Sequence, residues 1–152
     1  MPSDSARSGP WEITSKRFED LSPTQLHAIL QLRSLVFVVE QACVYNDIDG
    51  LDIESGTRHH WIEADGAITS YARELRDGDS TRIGRVVTNP RHRGSGQAAD
   101  LVAHIRDNTA GPTFLDAQSY LADWYVALGF TIVGDEYVED GIRHVPMSAN
   151  TG

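Results

Sequence analysis

Residues 85–97, RVVTNPRHRGSGQ, hold two glycines, three arginines and a proline between an apolar strand pattern and an apolar helix pattern. Pro90 has no N–H and ends a strand ladder. Gly94 and Gly96 lack Cβ atoms, so the backbone turns sharply there and a ligand can approach it closely. A helix that follows such a turn aims its unpaired N–H groups, and the positive end of its dipole, back at it. Arg91 and Arg93 add full positive charge. That combination is a cradle for a diphosphate.

Several known turns must be separated. Residues 94–99, GSGQAA, match the dinucleotide fingerprint G-x-G-x-x-A, and Asp116 sits where a ribose-binding acid is expected. The context is wrong for it. The fingerprint glycine follows its strand directly, whereas residues 89–93 intervene here. The strands before the turn read as a meander without crossover helices, and too little chain follows to build a doubly wound fold. A Walker A loop is excluded, because no Gly-Lys-Ser/Thr occurs. Nor is Ser95 a nucleophile elbow, which needs G-x-S-x-G and triad partners. Its expected role is an amide and a hydroxyl at the phosphate.

The elements that position this turn follow from periodicity and punctuation. Residues 1–10 are small and polar and read as a flexible tail. Residues 11–152 form one domain, the size expected of a single core. A strand is predicted at 11–18. Ser22, Pro23 and Gln25 give a helix start with a capping box, and the helix runs on to Glu40-Gln41. A polar loop at 45–58 holds Asp47, Asp49, Gly50 and Asp52. It fails as a calcium loop, because Tyr45 and Gly56 stand where carboxylates are required. Strands are predicted at 59–64, 67–75 and 81–88, with Asp-Gly turns between them. A helix at 96–108, a strand at 113–117, a helix at 119–128 and strands at 130–133 and 142–148 complete the chain. The order β-α-βββ-α-β-α-β-β defines an α/β fold with one mixed sheet.

Composition narrows the function. The chain has 152 residues, 22 acids and 13 bases, for a net charge of −9. Clustered cations drive binding to nucleic acids and anionic membranes, so neither is expected as a partner. Twelve of the thirteen bases are arginines, and Arg82, Arg85, Arg91 and Arg93 fall close together. They point either to a small polyanion or to a solvated surface strand. Cys43 is the lone cysteine, and no secretory signal or apolar run of membrane-spanning length is seen. A cytoplasmic protein without a metal is the expectation.

Several ordered segments carry a family resemblance. Arg91-x-x-Gly94-x-Gly96 fits the acyl-CoA turn Arg/Gln-x-x-Gly-x-Gly/Ala of the GNAT N-acetyltransferases. Residues 32–41, LRSLVFVVEQ, are followed by Cys43-x-Tyr45 and Asp49-Gly50-x-Asp52. Then come residues 115–118, LDAQ, next Trp124-Tyr125 with Gly129-Phe130, and last Tyr137 through Met147. From about Trp11 to Met147 the set resembles the ElaA-type subfamily of GNAT proteins. The resemblance implies a twisted mixed sheet, flanked by helices and splayed around acetyl-CoA.

It also implies roles. The backbone of Val86, Val87 and Thr88 would pair with the pantetheine arm. Amides from Arg93 through Gly94, Ser95, Gly96 and Gln97 would hold the pyrophosphate, with Arg91 and Arg93 as side-chain contacts. Gln118 stands where many GNAT proteins have Asn and would touch the pantetheine. Tyr125 matches the family's general acid, although its spacing with Leu121, Trp124 and Leu128 also suits a core residue.

The acceptor is expected to be an amine, small or peptidic. Candidate bases are Glu40, His144, His59 and His60. His59 and His60 are adjacent on a strand, so only one can face any given side. Glu40, Asp49, Asp52, Glu139 and Asp140 could attract a cationic acceptor or serve only solubility. A non-catalytic acyl-CoA-binding or sensing module is the competing reading. Exposed strand edges near the C-terminus leave a homodimer open.

Overall fold

The computed structural model describes residues 5–8 and 10–151, with the backbone alone at 5–8, 150 and 151. Strand β1 (Ser5–Ser8) pairs antiparallel with β2 (Trp11–Lys16), so part of the expected tail is an edge strand; residues 1–4 and 9 lie outside the description. The meander follows as β3 (Arg58–Ala64), β4 (Ala67–Asp77) and β5 (Ser80–Thr88), each antiparallel to its neighbour. β6 (Gly111–Gln118) lies parallel to β5, and β9 (Ile142–Thr151) lies antiparallel to β6. β7 (Thr131–Ile132) and β8 (Tyr137–Glu139) both pair with β9. Among the described residues these nine strands make one mixed sheet.

Alternation gives the sheet two apolar faces. Ile13, Ile62, Ala72, Ile83, Leu115, Val145 and Met147 point to one face, where Leu101, Val102 and Ile105 of α2 (Gln97–Asp107) pack on them. Trp61, Tyr71 and Val87 point to the other, under Ile29 and Leu32 of α1 (Pro23–Arg33). α1 starts as the sequence demands: Ser22 and Gln25 exchange both capping-box hydrogen bonds at 3.0 Å. Its continuation differs from a plain helix. Residues Ser34–Glu40 are π-helical, closed by Gln41 N–H donating to Val36 O and Cys43 N–H to Val38 O. The wider turn changes which side chains share a face, which a 3.6-residue period does not foresee.

α3 (Ala122–Ala127) is a short helix entered through a 3-10 turn at Ser119–Leu121. Strand β8 is an addition to the sequence expectation, because three residues give too little alternation to read.

The sheet splits at one place. β5 and β6 are paired only at Thr81, Arg82 and Ile83 against Thr113, Phe114 and Leu115. Beyond Ile83, β5 runs on to Thr88 and β6 to Gln118 without pairing to each other. The cause lies in β5. Tyr71 faces Val87 while Arg73 faces Gly84, so Arg85 and Val86 together oppose Ala72. This is a β-bulge, and Arg85 sits in it at φ +53. A non-glycine residue in the left-handed region costs about 1–2 kcal/mol, so something must hold it there.

Candidate active site

The turn after β5 is built from its own polar side chains. Asn89 N–H donates to Thr69 O at 2.8 Å, and Asn89 Oδ1 accepts from Arg91 N–H at 3.0 Å. Pro90–His92 then forms a 3-10 turn. Gly94 and Gly96 follow at φ +80 and +92, and a Cβ at either would meet nothing within 4 Å. Gly96 precedes α2 and offers no side-chain cap, so the first N–H groups of α2 have neither a capping nor an intrahelical acceptor. Open space in front of uncapped amides fits a diphosphate.

Side chains in the turn depart from the sequence expectation. Ser95 Oγ donates to His92 O at 2.7 Å, which closes the turn and turns the hydroxyl away from a phosphate role. The Gln97 side chain is buried and its Oε1 accepts from Thr69 Oγ1 at 2.8 Å, leaving its backbone N–H for a ligand. The arginines do not act as one cluster. Arg82 pairs with Asp116 at 2.8 Å, Arg85 with Asp47 and Asp49, and Arg93 with Glu40. Arg91 is exposed beside the turn.

The Arg93–Glu40 pair joins the π segment to the glycine turn through two contacts of 2.9 and 2.5 Å. The Arg93 hydrogen bond lowers the Glu40 pKa below the usual carboxylate range, which makes Glu40 a weaker base. Both side chains are exposed, so the pair adds little stability.

The free edges of the cleft carry the remaining candidates. Val86 packs into the core that holds Tyr125, and Val87 into the opposite one, so β5 contributes to the cores on both faces of the sheet. The Thr88 hydroxyl is tied to Ser70 Oγ at 2.9 Å. On the other wall, Gln118 faces His144 across the β6–β9 ladder. The Gln118 carboxamide pairs reciprocally with that of Gln41 at 3.3 Å in both directions. The pair spans from β6 to the residue after the π segment. His144 Nδ1–H donates to Ile142 O at 2.8 Å, which fixes the tautomer and leaves Nε2 as the basic nitrogen. Its ring stacks on Tyr137 at 5.6 Å. Nearby, Cys43 Sγ donates to Asp140 O at 3.5 Å, linking the loop after the π segment to the turn between β8 and β9.

Tyr125 lies on α3, 6% exposed, edge-on to Trp124 at 4.8 Å and to Phe130 at 6.1 Å. Burial pushes its phenol pKa up, so it is protonated at any neutral pH. It is a core residue whose hydroxyl stays protonated.

Four other candidates are accounted for structurally. His59 is fully buried: Nε2–H donates to Asp52 O at 3.0 Å and Nδ1 accepts from Tyr71 Oη at 2.6 Å. His60 is also buried and faces the other side, between Ser15 Oγ at 2.7 Å and Glu74 Oε1 at 2.9 Å. Asp49 and Asp52 are not free to attract an acceptor. Asp52 binds Arg33 at 2.7 Å and Arg73 at 3.0 Å, while Asp49 binds Arg73 at 2.9 Å. This buried arginine–aspartate network was not foreseen from the sequence, where the loop acids have no visible partner.

A splayed parallel strand pair, a glycine turn at a helix N-terminus and a buried tyrosine on the next helix define an acyl-CoA acyltransferase of the GNAT type. The acetyltransferase (GNAT) domain family matches residues 20–151, and the chain belongs to that family. Protein ElaA of Escherichia coli is 38% identical over 137 residues, covering 85% of this chain and 90% of that one. The crystal structure of E. coli ElaA superposes with a TM-score of 0.81, covering 91% of this chain and 99% of that one. The UPF0039 protein Rv2851c of Mycobacterium tuberculosis is 42% identical over 135 residues, 85% of this chain and 86% of its own. An acyl-CoA N-acyltransferase from Pseudomonas aeruginosa is 36% identical with a TM-score of 0.82, covering 90% of this chain and 98% of that one.

Proposed function

We propose that the chain transfers an acetyl group from acetyl-CoA to an amine by direct attack on the thioester. The observation that carries this reading is the free stretch of β5 beyond Ile83, leading into the Gly94–Gly96 turn and the uncapped start of α2. Backbone groups of Val86, Val87 and Thr88 hold the pantetheine arm as a neighbouring strand would. Amides of Arg93 through Gln97 hold the diphosphate, with Arg91 and Arg93 supplying charge. A strand N–H near Val87 polarises the thioester carbonyl; such a donor is worth about 3–4 kcal/mol in the transition state.

Tyr125 donates a proton to the departing thiolate. An alkylamine with a pKa of about 10.4 arrives protonated and must lose a proton before attack. His144 Nε2 is the base favoured here, since Nδ1–H is held by Ile142 O and Glu40 is engaged by Arg93. Exposed Glu139, at the end of β8, and Asp140, in the turn after it, favour a cationic acceptor.

The test is thiol release from acetyl-CoA over polyamines, amino acids, aminoglycosides and peptide N-termini, with thermal shifts by acetyl-CoA and by NAD in parallel. Stabilisation by acetyl-CoA alone, with turnover on one amine class, supports the reading. Stabilisation by acetyl-CoA without turnover on any amine favours the non-catalytic acyl-CoA module.

A further inference from the structure

We propose that Asp47 and Asp49 are positioning residues for the CoA-binding strand, acting through Arg85. Arg85 is the left-handed residue of the bulge that parts β5 from β6. Its side chain is gripped by one loop from three sides. Nε lies 2.8 Å from Asp47 Oδ1, and Nη2 donates to Asp47 O at 3.1 Å and to Asp49 Oδ2 at 3.2 Å. The guanidinium lies over the Tyr45 ring, 5.4 Å from its centroid.

The grip is itself fixed. Arg33 Nε and Nη2, fully buried, bind Asp47 Oδ2 at 3.0 Å and Asp47 O at 2.8 Å. Arg73, on β4 beside the bulge, holds Asp49 with two contacts of 2.9 Å. The loop is thus bolted to α1 and to β4, and it pulls the Arg85 side chain toward itself. A left-handed backbone at residue 85 follows, and with it the place where β5 leaves β6. The acids of the failed calcium motif therefore set the strand geometry on the cofactor side.

This inference rests on the reading of β5 as the strand that holds CoA. Glycine adopts a positive φ freely and alanine does not. Titration calorimetry with CoA should therefore show Arg85→Ala weakened about tenfold and Arg85→Gly no more than about threefold. Asp49→Asn, which leaves Arg73 its Asp52 contact, should weaken CoA binding in the natural background and add nothing on top of Arg85→Gly.

Backbone chemical shifts of residue 85 read its φ without any ligand. They should move toward extended values in Asp49→Asn and in Arg85→Ala. Equal losses in the alanine and glycine variants, or an unmoved residue 85 in Asp49→Asn, would overturn the proposal. Failure of the natural chain to bind CoA would instead remove the proposed function, and the shifts would still decide whether the aspartates hold the bulge.

Discussion

Glu40 and Arg93 form a two-pronged ion pair that ties the end of the π segment to the loop ahead of α2. On the proposed reading Arg93 lies in the diphosphate cradle, so phosphate oxygens and Glu40 would compete for the same guanidinium.

Glu40→Gln releases Arg93 for the diphosphate. CoA should bind at least as tightly to this variant, and turnover should fall by less than about tenfold, because a true general base contributes about 10²–10⁴-fold. Steady-state kinetics with acetyl-CoA and the best amine checks this. A hundredfold loss in kcat would return the base role to Glu40.

His144→Gln should lower kcat by about 10²-fold with little change in the KM for acetyl-CoA. An unchanged kcat would place the base elsewhere.

Tyr125→Phe keeps the ring among Trp124 and Phe130 and removes the proton. The melting temperature should hold within a few degrees while kcat drops by about 10²-fold or more. An unchanged kcat would leave Tyr125 as a packing residue only.

Gly96→Ala forces a Cβ onto a residue at φ +92. The strain is about 1–2 kcal/mol, and the methyl group projects into the open space before α2. Weaker CoA binding and a lower melting temperature are expected, measurable by calorimetry and thermal unfolding. Binding as tight as in the natural chain would move the diphosphate away from this turn.

Stability should depend on pH through His59. Burial lowers its pKa below 6.5, and the charges of Arg33 and Arg73 add to this against the opposing pull of Asp52. The unfolded chain therefore takes up a proton near pH 6.5 while the folded chain does not. The stabilisation is complete above that pH and is lost as pH falls, at up to about 1.4 kcal/mol per pH unit for one proton. Asp49 adds a second, lower window. Burial raises its pKa, but Arg73, the Leu51 N–H and Arg85 outweigh burial and hold it at about 2, so its contribution is lost between about pH 4 and pH 2. Urea midpoints from pH 8 to pH 5 should fall, and more gently in His59→Gln. A flat profile would refute the neutral buried histidine.

What was legible in the sequence was what depends on neighbours along the chain. Ser22, Pro23 and Gln25 act within one turn, and Gly94 and Gly96 need only their own φ. The opposite facing of His59 and His60 follows from strand alternation alone. What was missed depends on distant partners. Arg33 meets Asp52 across nineteen positions and Gln41 meets Gln118 across seventy-seven, so no local pattern announces either. Nor does spacing reveal that Ser95 and Gln97 spend their side chains on the fold, or that the helix carrying Glu40 widens into a π segment.

The most direct test is a titration of the isotopically labelled chain with acetyl-CoA, followed by backbone amide shifts. Saturable changes concentrated at Val86–Thr88 and at residues 93–97 are the expected result. Changes confined to other strands, or none at millimolar ligand, would contradict the assignment of this cleft to an acyl-CoA.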